Sequence, residues 1–250
     1  MRDYADVFQD AAAAARYDEE VYAPGGWAAA VDRRQRVRLR RWLRGAFPAG
    51  TRPVQHDFAC GTGRVLTMFD GLVAGAHGYD TSATMLARAR ARPVPGELHL
   101  ISEGGPAEPV ASGSPVLVTL FRFLLNAPPE GRAAALAFAA RALPDADAGY
   151  LLVENHGPSG SLRGLGRHRH RADRWFAELS HRRVADLLAG HGFRIVGRHG
   201  FGVAPAGSYR WGWSRPLARA VDALAGQIPH AAVATTVVYI ARRFDSTYNL

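Results

Sequence analysis

Between residues 56 and 70 the sequence reads HDFACGTGRVLTMFD. A short apolar run carries an acid, Asp57, then come Ala59, Cys60, Gly61, Thr62 and Gly63, and then a segment of helical character. Glycine reaches positive φ and lacks the Cβ that would keep a ligand off the backbone. At the carboxyl end of a strand, that clearance and the N–H groups of a helix start make a ligand crevice. A dinucleotide fingerprint would need G-x-G-x-x-G, but Leu66 stands where the third glycine would be. A nicotinamide enzyme is therefore the weaker reading. A second acid, Asp80, ends the next apolar run, VAGAHGYD, and its carboxylate offers two acceptor oxygens at a strand end.

The elements that must position these residues alternate along the chain. After helical segments over roughly 3 to 16 and 26 to 46, PVQHDFA reads as the first strand and GRVLTMF opens a helix. VAGAHGYD, ELHLIS, SPVLVTLF and GYLLVEN follow as strands, with helical periodicity in SATMLARARAR and EGRAAALAFAARAL between them. Continuous apolar runs separated by helices describe strands buried on both faces, hence a doubly wound, mostly parallel sheet. LSHRRVADLLAGHGF is a further helix, and FRIVGRHGFGV and ATTVVYIARRF are two last strands. The stretch between those two is too long for a hairpin turn. It predicts a lid-like insertion and an antiparallel edge added to the sheet.

Three stretches together, DFACGTGR, GYDTSATMLARAR and LVTLFRFLLN, resemble the class I S-adenosylmethionine-dependent methyltransferases. The resemblance covers roughly residues 50 to 155 well and the remainder in outline. It implies a Rossmann-like α/β fold with a seven-stranded sheet whose last strand is antiparallel, and S-adenosyl-L-methionine as cofactor, released as S-adenosyl-L-homocysteine. Carried over residue by residue, it implies that Asp57 fixes the glycine turn and the methionine part of the cofactor. Ala59 takes the place of a first glycine, and Gly61 and Gly63 give close approach. Asp80 accepts the ribose hydroxyls, or else caps the next helix. Thr81, Ser82 and Met85 flank ribose and adenine, Gly104 and Gly105 lie on the adenine side, and Phe121 follows the fourth strand. Two departures stand out. Where the family commonly carries an acid near the adenine, SEGGPAEP offers Gly104, Gly105 and Pro106 with Glu103 and Glu108 nearby, and Pro115 and Val116 replace a Phe-Asp pair. At the amino terminus, Tyr17 and Tyr22 sit where such proteins have a helix closing over the cofactor.

A sulfonium methyl is already activated, so such an enzyme mainly aligns a nucleophile and excludes water. A hydroxyl acceptor also benefits from a base. VENHG supplies His156 as the first candidate base and Glu154 as the second; the alternative makes His156 a turn residue beside Gly157. FRFLLN supplies Arg122 and Asn126 on the substrate side. In SYRWGWSRP, Tyr209, Trp211 and Trp213 either line an aromatic substrate pocket or pack the insertion onto the sheet. His168 and His170, in GRHRHRADRWF, have no acid or cysteine pattern to complete a zinc set, so no metal is expected.

Composition bounds the rest. At 250 residues and 48% hydrophobic, the chain fits one domain: a helical cap over 1–48, a cofactor-binding core over 50–155 and a substrate-side part over 156–250. Cys60 is the only cysteine, which excludes an internal disulfide. No run of about 18 apolar residues and no signal-like amino terminus is present, so a cytoplasmic protein without a membrane partner is expected. All 31 basic residues are arginine, giving a formal charge of +9. In DRRQRVRLRRWLRG the apolar Val37, Trp42 and Leu43, with Trp27 and Val31 before them, are expected to face the body while the arginines splay outward. The expected function is methyl transfer to oxygen or nitrogen of a small molecule, a specialised metabolite or sugar-containing intermediate. RNA or a peptide ranks second as acceptor, on the arginine-rich faces, and a noncatalytic binding module third. The oligomeric state, a homodimer included, stays open.

Overall fold

The computed structural model describes residues 22–102, 107–113, 115–158, 161, 179–225 and 231–244. The helix expected over 3–16, Tyr17, Gly104, Gly105, His168 and His170 lie outside them. Seven strands form one sheet: β1 (Val54–Phe58), β2 (Gly75–Asp80), β3 (Glu97–Leu100), β4 (Val116–Leu120), β5 (Gly149–Asn155), β6 (Phe193–Phe201) and β7 (Thr236–Arg243). Their order is β3-β2-β1-β4-β5-β7-β6. The pairs β3/β2, β2/β1, β1/β4 and β4/β5 are parallel, and β7 is antiparallel to both of its neighbours. The antiparallel strand is therefore not the edge. β6 runs in the direction of β5, and the chain returns across the carboxyl ends of the strands to insert β7 between them.

Helices α1 (Trp27–Ala46), α2 (Arg64–Phe69), α3 (Ala83–Arg90), α4 (Pro129–Ala142), α5 (His181–Ala189) and α6 (Arg215–Ala225) pack around the sheet. Every residue of β4 is buried, as its sequence VLVTL requires. Val118, Leu120, Leu151 and Val153 pack with Leu136 and Phe138 of α4 and Leu188 of α5 in one core cluster. Leu117, Leu152 and Val238 pack with Leu39 and Leu43 of α1 and Met68 and Phe69 of α2 in the other. Burying a side chain of this size contributes roughly 1.5–3 kcal/mol relative to leaving it exposed.

Helix α1 corrects two expectations. Its buried stripe is Trp27, Val31, Gln35, Leu39 and Leu43, at intervals of four residues. Val37 lies two residues off that stripe, about 200° around the helix, and is 69% exposed. The arginines do not all splay outward. Arg36 donates to the carbonyl of Thr67, and Arg40 to those of Met68 and Asp70. Both thus satisfy carbonyls at the carboxyl end of α2 that have no partner within the helix.

The connection between β6 and β7 holds a short 3-10 turn (Ala206–Tyr209) and α6. It docks onto α1 through Asp222, whose buried carboxylate accepts hydrogen bonds from Val203 N and Ala204 N at 2.8 Å each, Tyr209 Oη at 2.6 Å and Arg34 Nη1 at 3.0 Å. This anchor is legible in RPLARAVDALA only as an acid one turn beyond the buried Ala218.

Candidate functional site

The order of strands reverses beside β1, where β2 lies on one side and β4 on the other, and the crevice at such a switch point opens at the carboxyl ends. There the chain turns through Ala59, Cys60, Gly61, Thr62 and Gly63 into α2. Ala59, Gly61 and Gly63 all have positive φ, at 57°, 56° and 79°. Glycine is comfortable there and alanine is not, so the methyl of Ala59 is accommodated at some cost to the backbone. The two glycines are needed for different reasons. A Cβ at Gly63 would meet the Val94 methyls at 2.7 Å, whereas one at Gly61 would meet nothing within 4 Å. Gly63 is a packing requirement; Gly61 borders open space.

Asp80 closes this turn from the end of β2. Its Oδ2 accepts from Gly61 N at 2.7 Å and its Oδ1 from Ser82 N at 2.9 Å. Burial raises its pKa, opposed by these N–H groups and that of Thr81. Asp80 is not the helix cap: Ser82 occupies the N-cap of α3, its hydroxyl accepting from Met85 N at 3.2 Å. Ser82 and Met85 are buried, and Thr81 is half-buried.

Asp57 is fully buried on the α1 side of the sheet, where its Oδ1 accepts from Thr119 Oγ1 at 2.6 Å and its Oδ2 has no hydrogen-bond partner. Burial pushes its pKa up to about 7, against the Thr119 hydrogen bond and the Arg64 charge. The folded value lies above the ordinary 3.8, so the folded chain holds this proton more tightly than the unfolded chain. The resulting stability is present below pH 3.8 and is lost as pH rises through about 7. Asp57→Asn removes that dependence. In urea unfolding, wild-type stability measured against this variant is expected to fall between about pH 4 and pH 8; parallel curves would contradict the assignment.

At the end of β4, Arg122 also has positive φ, 59°. Both its backbone groups are held by side chains: its N–H donates to Glu154 Oε2 at 2.8 Å, and its carbonyl accepts from Asn126 Nδ2 at 2.6 Å. The other oxygen of Glu154 accepts from Gln35 Nε2 of α1 at 2.7 Å. Strained backbone that neighbours over-determine in this way is a feature of functional sites. The Arg122 guanidinium lies 5.9 Å from the Tyr22 ring centroid, and that of Arg64 lies 5.0 Å from Tyr22 and 5.9 Å from Phe121. Arg64 also pairs with Asp32 of α1. A cleft of about 370 Å³ opens beside the glycine turn, lined by Tyr22, Asp32, Thr62, Gly63 and Arg64 among others.

The structure thus gathers Tyr22, Asp57, Ala59, Gly61, Gly63, Asp80, Thr81, Ser82, Phe121, Arg122, Asn126 and Glu154 around the ends of β1, β2, β4 and β5. His156 follows β5 directly and is buried. Tyr209 sits apart, buried in the insertion with its hydroxyl on Asp222, while Trp211 and Trp213 are exposed by 63% and 82%. Gln35, Thr119 and Asp32 were missed from sequence, because their partners are far along the chain. A glutamine on the buried stripe of α1 was the one available signal.

No protein-family model and no curated protein sequence matches the chain. Solved structures do. A SAM-dependent methyltransferase from Thermotoga maritima aligns over 96% of this chain and 100% of its own at 14% identity and a TM-score of 0.61. Magnesium protoporphyrin IX methyltransferase from Synechocystis PCC 6803, with bound SAM, covers 98% and 99% at 12% identity and 0.53. The [4+2]-cyclase SpnF covers 97% of each chain at 16% identity and 0.55. With the strand order and the placement of β7, these likenesses establish the fold: the chain has the Rossmann-like fold of the class I SAM-dependent methyltransferases.

Proposed function

We propose that the chain binds S-adenosylmethionine at the glycine turn and transfers its methyl group to an oxygen or nitrogen of a small molecule, a specialised metabolite or sugar-containing intermediate. The observation that carries this reading is the Asp80 carboxylate bonded to Gly61 N, at a turn where Gly61 borders open space. The residues fit the cofactor. Asp80 and Thr81 suit the ribose, and Ser82 and Met85 the adenine side. The unpartnered buried oxygen of Asp57 suits the ammonium of the methionine part. When bound, the cofactor supplies an electrophilic methyl on a sulfonium.

The chain's own residues then hold the acceptor and keep water out. Glu154 has both oxygens engaged, so in this reading it positions Arg122 rather than removing a proton. Arg122, pointed toward Tyr22, contacts the acceptor, and His156 takes the proton of a hydroxyl acceptor. Asn126 holds the turn that presents Arg122, and Tyr209 holds the insertion closed over α1. Arg34, Arg36 and Arg40 are engaged within the fold, which weakens the case for RNA as acceptor.

The test is transfer of a radiolabelled methyl group from SAM into cell extract separated by size. Label is expected in the small-molecule fraction, at a rate insensitive to salt. Label in RNA or peptide, with uptake that falls steeply as salt rises, would overturn the choice of acceptor. SpnF, a cyclase on the same fold, is the reason product identity must be read directly.

A further inference from the structure

The proposed methyl transfer makes no use of a histidine cluster on the outer half of the sheet. His77 of β2 is paired in register with Glu97 of the edge strand β3, and Tyr79 with His99. Side chains two apart on a strand share a face, so His77, Glu97 and His99 converge. Three ligand atoms form one triangle: His77 Nδ1 to His99 Nε2 is 3.2 Å, His77 Nδ1 to Glu97 Oε2 is 3.7 Å, and His99 Nε2 to Glu97 Oε2 is 3.9 Å.

Zinc holds nitrogen and oxygen ligands at about 2.0–2.2 Å in a tetrahedron, whose edges are therefore about 3.3–3.6 Å. The triangle matches one face of that tetrahedron after a small rotation of Glu97, which is 73% exposed and free to make it. Both imidazoles are already oriented. The His77 ring stacks on His56 at 5.3 Å between centroids and the His99 ring on Tyr79 at 4.9 Å, while His56 Nδ1 lies 3.0 Å from Tyr79 Oη. Ring orientation fixed by an outer layer is what metal-binding histidines require. Among the described residues no helix separates β3 from β4, and His77 and His99 are partly exposed.

We propose that His77, Glu97 and His99 form a zinc site with its remaining position open to water, tying the edge strand β3 to β2. Two imidazoles and a carboxylate are a donor set that suits Zn²⁺. The site is separate from the proposed cofactor crevice and does not depend on it. The spacing of His168 and His170, considered in the linear sequence, could not reveal it, because its ligands come from two strands brought together by the sheet.

The test is competition between the chelator-treated full chain and a chromophoric zinc chelator. Wild type is expected to take up one Zn²⁺ per chain and to unfold at higher temperature in its presence. His77→Gln and His99→Gln are each expected to weaken binding by more than the roughly 10–100-fold that loss of an outer-layer partner costs. Glu97→Gln, an exposed change that leaves folding intact, should weaken it as well. His191→Gln, away from the cluster, should not. Wild type that fails to compete overturns the proposal, as does zinc uptake unchanged in all three ligand variants, which would show that the two imidazoles only share a proton.

Discussion

Replacing Asp80 by alanine is expected to weaken binding of S-adenosylhomocysteine by at least about a hundredfold. A hydrogen bond to a charged group contributes roughly 1.5–3 kcal/mol, and a ribose offers two hydroxyls to one carboxylate, so losing both costs about two decades or more in affinity. The same carboxylate holds Gly61 N and Ser82 N, so the variant also loosens the glycine turn itself. Asp80→Asn separates the two effects. It keeps a side-chain oxygen for one N–H and should recover the unfolding temperature more fully than the affinity. Equal affinity in wild type and Asp80→Ala would show that the ribose lies elsewhere.

The second large effect concerns stability. Asp222→Ala is expected to destabilise the chain by about 3–5 kcal/mol, the cost of breaking a buried charge pair from one side. Asp222 is 1% exposed, and its removal takes the acceptor from two backbone N–H groups and leaves Arg34 only its hydrogen bonds to the Tyr209 hydroxyl and the Arg219 carbonyl. Against a total stability of about 5–15 kcal/mol, that is a large share. A fall in the urea midpoint with faster proteolysis between β6 and β7 is the expected result. Tyr209→Phe, which leaves three of the four bonds to Asp222, should lose only about 1 kcal/mol. A loss that small for Asp222→Ala would mean that the insertion is not anchored on α1 in solution.

The glycine turn and the acids beside it were legible because their signals are local. Asp57, Gly61, Gly63 and Asp80 sit at strand ends that the alternation of apolar runs locates to within a residue or two, and their backbone needs follow from residue type. Even so, only the structure separates Gly61, which borders open space, from Gly63, which Val94 requires. What sequence could not supply were contacts between distant segments. Gln35 of α1 meets Glu154 of β5 on the face of the sheet that α1 covers, and Arg34 meets Asp222 through the return of the chain as α6. Those contacts account for arginines expected on a solvated face and for Tyr209, whose hydroxyl serves the insertion's own anchor. The position of β7 was hidden for a similar reason: pattern identifies an antiparallel last strand but not which neighbours it will join.

Calorimetric titration of the purified chain with SAM and with S-adenosylhomocysteine, using NAD as control, tests the central claim most directly. The account predicts binding of both adenosyl ligands at one site, strongly reduced in Asp80→Ala, and no binding of NAD. Absence of binding by either adenosyl ligand, or binding of NAD in their place, would contradict it.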